Sequence, residues 1–299
     1  MTYTVCMYNE KEIKSMNKNN VYQIVTDRIV AQMEQGIIPW NKPWHGIRSG
    51  AISRSTGKPY SLLNQFLLPR PGEYATFKQI QEAGGKVRKG EKSSVVVFWK
   101  QTKVKTVDEN GEETESLFPM LRYYNVFNLD QCEGINPKYW NPDQPEVIDP
   151  IAEAENVIDG YIARSGVKFM PQLSDRAYYS PARDCVVVPI LDQYDNAAEY
   201  YSTTFHELTH STGHKSRLDR FTTGRAAAFG GTEYSKEELT AELGSAFLMN
   251  HCGINTDGTE RNSAAYLQSW LKALKNDPKM IVGAASRAEK ATALILGEA

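Results

Sequence analysis

A chain of 299 residues is long enough for one large or two medium domains, and its make-up (41% hydrophobic, 23% charged, 10% aromatic) is that of a globular protein. The net charge of -2 conceals an asymmetry: from Asn41 to Lys105, thirteen Lys/Arg face three acids, Glu73, Glu82 and Glu91. No apolar run approaches the roughly 20 residues of a membrane helix, the start MTYTVCMYNEKE lacks the basic-then-apolar order of a secretory signal, and Cys6, Cys132, Cys185 and Cys252 form no C-x-x-C pair, which argues for a reduced, cytoplasmic protein and against a cysteine-held zinc.

Residues 1–16 read as a disordered leader. Val21, Ile24, Val25, Ile29 and Met33 then recur at helical spacing, and Gly36 is the stop. Two prolines in IIPWNKPWHG put Trp40 and Trp44 on an extended loop. SRSTGKPY is a turn, Thr76–Ala83 a short helix capped by Thr76, and GGKVRKGEK a glycine-bracketed basic turn. SSVVVFWK and LRYYNVFN are strands around the tip DENGEE. Residues 17–135 are therefore expected to form a small N-terminal α+β domain, and the proline-rich 136–149 a linker. Residues 150–299 read as a second, mainly helical domain with a small sheet: a helix near 150–164, a strand ending CVVVPI, a helix over Asn196–Ser211, one capped by Ser235 and running to about Met249, and two more over Ser263–Lys275 and Lys279–Leu296. The fold class is α+β.

The chemistry concentrates in TTFHELTHSTGH, Thr203–His214. At about 100° per residue, His206 and His210 share one helical face a turn apart and can hold one Zn²⁺. Glu207 beside them is the general base of an H-E-x-x-H site. A third ligand is required. His214 is one candidate, but Gly213 ends the helix just before it. Glu238 in SKEELTAELGSAFL is the better one, with Glu242 a turn further on to orient a histidine and Glu237 pointing about 100° away. His214 is then expected beside the cleft in a supporting role. Tyr178, Tyr179, Tyr234 and His214 are all available to stabilise an oxyanion. The strand Asp184–Ile190 is expected to border the cleft and offer its edge to an extended peptide. Zn²⁺ is the expected ion, with Mn²⁺ or Co²⁺ compatible with the same ligands.

The basic block predicts a polyanion partner, against a merely solvated face. Single strands need cations for phosphates and aromatic faces for bases. Trp40, Lys42, Trp44, Arg54, Lys58 and Tyr60 offer both, followed by Lys86, Arg88, Lys89 and Lys92 in the basic turn. No RNP sequence, GXXG loop or zinc finger accompanies them.

VTDRIVAQMEQGIIPWNKPW, STGKPYSLLN, GGKVRKGEK and NVFNLDQ together resemble the N-terminal domain of the ArdC-type antirestriction proteins, a domain also found in some plasmid primases. AYYSPARD, YYSTTFHELTHSTGHKSRLDR, EELTAELGSAFL and AAYLQSWLKALKND resemble that family's metallopeptidase-like second domain. The resemblance runs from about Val21 to the C-terminus. It implies a protein of conjugative elements that binds single-stranded DNA through its first domain and helps incoming DNA escape restriction. It carries over the motif His206, Glu207 and His210, whereas Glu238 as third ligand is inferred from its helical spacing and from the arrangement of glutamate-type zincins, in which a helix after the motif supplies a Glu to the metal. A true protease cleaving a regulatory protein, with the basic domain serving localisation or protein recognition, is the competing reading; a catalytically idle zincin fold is the third.

Overall fold

The computed structural model describes residues 21–35, 39–40, 50–107, 113–140, 149–221, 232–254 and 263–298. The expected leader, Lys42, Trp44 and most of the expected linker lie outside the described residues.

Helix α1 (Val21–Glu34) buries Val25, Ile29, Val30 and Met33, one stripe of its surface. Strands β1 (Ala51–Ser53), β2 (Gly72–Thr76), β4 (Ser94–Val107) and β5 (Glu113–Asn128) form one sheet in the order β1-β2-β5-β4. Strands β4 and β5 pair antiparallel without interruption from Ser94↔Val126 to Val107↔Glu113, a long two-stranded arm. LLNQFL folds as helix α2 (Leu62–Leu67), and Asn64 fastens it to β4 by exchanging hydrogen bonds of 2.7 Å each with the Val97 backbone. Helix α3 (Phe77–Glu82) starts at a capping box, Thr76 with Gln79. Strand β3 (Lys86–Val87) pairs with β6 (Cys132–Glu133), so the basic turn is anchored at its base.

The second half opens with α4 (Pro150–Ser165), capped by Asp149 with proline in its first turn and Gly166 at φ 70° past its end. Strands β7 (Lys168–Gln172), β8 (Tyr178–Ser180) and β9 (Cys185–Pro189) form a sheet ordered β7-β9-β8. The strand expected to offer its edge is therefore the central one, paired on both sides, and β8 is the edge strand that packs near the motif helix. That helix, α5 (Ala197–Ser211), is capped by Asn196, which accepts from the Glu199 amide. Helix α6 (Thr232–His251) begins three residues ahead of the expected Ser235 cap, and α7 (Ser263–Asn276) and α8 (Met280–Leu296) follow.

Two large cores organise the chain. One joins Val186, Val188, Phe205, Leu208 and Leu248 between the second sheet and helices α4, α5 and α6. The other runs across both halves: Ile29, Trp40, Phe66 and Val97 from the first meet Leu243, Trp270, Leu274 and Ile281 from the second. Trp40 packs edge-on against Trp270, ring centroids 5.6 Å apart. Thr26 also donates to the Pro278 carbonyl at 2.8 Å.

Candidate metal centre

Helix α5 carries His206 and His210 on the face turned to α6. Close approach of the two helices depends on Gly244, where a Cβ would meet Thr209 Oγ1 at 2.6 Å. That proximity brings Glu238 opposite the two imidazoles. His206 Nε2 and His210 Nε2 are 3.1 Å apart, and the two Glu238 oxygens stand 3.6 Å from His206 Nε2 and 3.5 Å from His210 Nε2. Ligands at 2.0–2.1 Å in a tetrahedron stand about 3.3 Å from one another, so these three donors fit a single ion of zinc size. Among the described residues, His206, His210 and Glu238 are the one group with this convergence.

The remaining ring nitrogens face carboxylates. His206 Nδ1 lies 3.7 Å from Glu242, and His210 Nδ1 lies 3.3 Å from Glu237. Such partners fix which nitrogen points at the metal. Glu237, the weaker choice on spacing, is thus placed to orient His210, and it is itself gripped by Arg220 through bonds of 3.0 and 2.7 Å. Arg220 also donates to the Thr209 carbonyl and to Thr212 Oγ1, tying the end of α5 to α6. Arg220 has no signal in the motif's spacing, and Glu237 enters there only as the weaker ligand candidate.

Glu207 is buried, 9% exposed. Its charge reaches Tyr194, whose phenol is raised first by burial. His214 is not grouped with the metal donors: its Nδ1 bonds Ser216 Oγ at 2.7 Å and lies 4.0 Å from Asp184. Of the four residues considered for an oxyanion, Tyr179 donates to Asp184, Tyr234 bonds Glu238, and His214 is taken by Ser216. Tyr178, on the edge strand, is 40% exposed.

Burial is the largest single influence on His206 and lowers its pKa, but the bonds to Glu238 and Glu242 and the charge of Glu207 outweigh it and raise the imidazole to about 10. Glu238 is pushed up by burial yet held below its usual value by His206 and His210. A metal ion must therefore displace a proton from His206 at neutral pH. Apparent metal affinity is expected to rise with pH, about tenfold per unit for each proton displaced. Calorimetric titration in buffers of different ionisation enthalpy counts that proton; an affinity flat between about pH 6 and 8 would contradict the protonation assigned here.

The residues expected to meet DNA separate into two groups. Trp40 is fully buried in the shared core, so its ring cannot stack on a base. Arg54 is spent on the buried Glu73, whose other oxygen accepts from the Lys138 and Tyr139 amides. Tyr60 is half-buried, edge-on to Tyr74. These three hold the fold together. Lys58, Lys86, Arg88, Lys89 and Lys92 are exposed, with Lys86 paired to Glu133 and Arg88 to Glu91.

An H-E-x-x-H helix facing a glutamate-bearing helix, with a three-stranded sheet alongside, defines a zincin-type metallopeptidase fold. Residues 156–287 match the family model of a zincin-like metallopeptidase, and residues 19–127 that of the N-terminal domain of anti-restriction factor ArdC. The crystal structures of antirestriction ArdC protein from the R388 plasmid superpose on the chain. The metal-free one has a TM-score of 0.70 at 38% identity, with 93% of this chain and 97% of that one covered. The Mn(II)-bound one has a TM-score of 0.71 at 37% identity, with 93% and 98% covered. The chain belongs to the ArdC antirestriction family. Among curated relatives, a DNA primase TraC of Escherichia coli is 34% identical over 300 residues, which is 93% of this chain but 27% of the primase. The uncharacterized protein y4eC of Sinorhizobium fredii (strain NBRC 101917 / NGR234) is 33% identical, with 91% and 90% of the two chains covered. The family's zincin-like domain implies a bound metal ion, and among the described residues no helix is long and apolar enough to cross a membrane.

Proposed function

We propose that this protein is an antirestriction factor that binds single-stranded DNA through its first half and carries a zinc peptidase centre in its second. The observation that supports the peptidase reading is the convergence of His206, His210 and Glu238 with buried Glu207 next to the first histidine. Zinc bound by those three side chains would acidify a water and polarise a peptide carbonyl. Glu207 accepts the proton of the attacking water and returns it to the leaving nitrogen. Glu242 and Glu237 hold the two imidazoles in the ligating tautomer. An extended peptide adds to the outer edge of β8, which fixes its register beside α5. Cytoplasmic residence accords with the DNA role.

Two measurements on the full chain test this. Glu207→Gln should retain metal and lose hydrolysis of a susceptible protein by roughly a hundredfold or more; cleavage at the wild-type rate would remove Glu207 from the mechanism. Binding to a single-stranded oligonucleotide should weaken steeply with salt, because each neutralised phosphate contributes about -0.7 to the slope. A flat salt response would sink the role given to the cations of the first half.

A further inference from the structure

Among the described residues of the first half, the most exposed aromatic ring lies on the β4–β5 arm. Tyr124 is 55% exposed and Trp99 50%. In the register, Val96 faces Tyr124, Phe98 faces Arg122 and Lys100 faces Met120, so these six side chains share one side of the arm. At the base of that side Val96 is buried in the small cluster around Tyr74. Beyond it, Phe98 and Tyr124 are stacked face to face, centroids 4.7 Å apart and planes 4° from parallel. Lys100 and Arg122 lie beside the stack, both exposed, and among the described residues neither has an acidic partner; Arg122 donates to the Met120 sulfur at 3.9 Å.

We infer that this side of the β4–β5 arm is the face on which single-stranded DNA is held, with a base stacked on Tyr124 and phosphates against Arg122 and Lys100. The inference rests on the single-stranded DNA reading given above and assigns the residues for it. Parallel rings at van der Waals separation extend naturally by one more flat ring, and every unpaired base has one. In a duplex the base faces are buried in the stack, so a single strand is the form that can use it. The cations on the same side complement phosphates, and the arm as a whole carries Lys100, Lys103, Lys105 and Arg122 against Glu113 and Glu115. The basic turn feeds straight into β4: Lys92 precedes Val96, the partner of Tyr124, by four residues, about 13 Å of extended chain. A backbone leaving the stack therefore meets Lys92 and then Lys89. On the opposite side of the arm Trp99 packs edge-on to Tyr22 of α1, centroids 6.3 Å apart, which ties the arm to the core.

The experiment is fluorescence anisotropy of a labelled oligothymidylate with the full-length protein across a salt series. Tyr124→Ala is expected to weaken binding about 5- to 100-fold, Tyr124→Phe to stay within about twofold, and Arg122→Gln to flatten the salt slope by about 0.7. Tyr124 is a surface residue, so melting temperatures of all three variants should match the wild type. If the wild type binds and Tyr124→Ala binds equally well, the arm is not the contact face and the single-stranded DNA reading survives without it. If the wild type does not bind, both fall together.

Discussion

Replacing Glu238 by alanine is expected to weaken metal binding by roughly a hundred- to a thousandfold, with the fold otherwise intact. Structural zinc in small peptides is bound with apparent free energies of about 10–16 kcal/mol, so one ligand of four carries about 2.5–4 kcal/mol. Glu238 is partly exposed at 21%, so its loss opens no core cavity. Glu242→Ala is the informative companion. It removes a group 3.7 Å from His206 Nδ1 rather than a ligand, and its cost should be about 10- to 100-fold. Metal content after dialysis against graded chelator reads both. Equal losses for the two variants would mean that the third ligand has been misassigned between them.

Arg220→Met should cost stability on the order of 3 kcal/mol. Its guanidinium is 8% exposed and Glu237 is 17% exposed, so removing the cation leaves a carboxylate with little water to replace the fork. The same change frees Glu237 from its position under His210, and metal affinity should fall about 10- to 100-fold as a second effect. Lysine cannot reproduce a contact that reaches both Glu237 oxygens, the Thr209 carbonyl and Thr212, so Arg220→Lys should recover only part of either loss. Thermal melting in the presence of chelator isolates the stability term from the metal term. A melting temperature unchanged under those conditions would show that the Arg220 ion pair is not holding α5 to α6.

The parts of the site readable beforehand are those written in local spacing. His206 and His210 are one helical turn apart, Asn196 announces the start of their helix, and Glu238 and Glu242 repeat at four. Glu237 and Arg220 obey no such spacing. Their partnership forms only when the segment after α5 folds back, and no periodicity marks that path. The aromatic residues failed for a different reason. A tryptophan beside prolines and lysines has the same composition whether it faces a base or a core, and Trp40 faces Trp270 from 230 residues away. The exposed arm could have been found by parity: Phe98 and Lys100 alternate on one strand as Arg122 and Tyr124 do on the other, aromatic with cation on the same side of each. The edge available beside the motif helix also depended on a pairing between distant strands, which put Cys185–Pro189 in the centre and left β8 outside.

A chain whose halves shared only a tether could trade either one by recombination. Here Ile29, Trp40 and Phe66 are shaped against Leu243, Trp270 and Ile281, and α6, the helix of Leu243, also bears Glu238. A new partner for either half would have to reproduce those complementary surfaces before it could fold, and would disturb the metal ligand until it did. The two are therefore expected to be inherited as a single cassette, and the match to TraC, which takes in 93% of this chain within a much longer primase, is what such joint inheritance would leave behind.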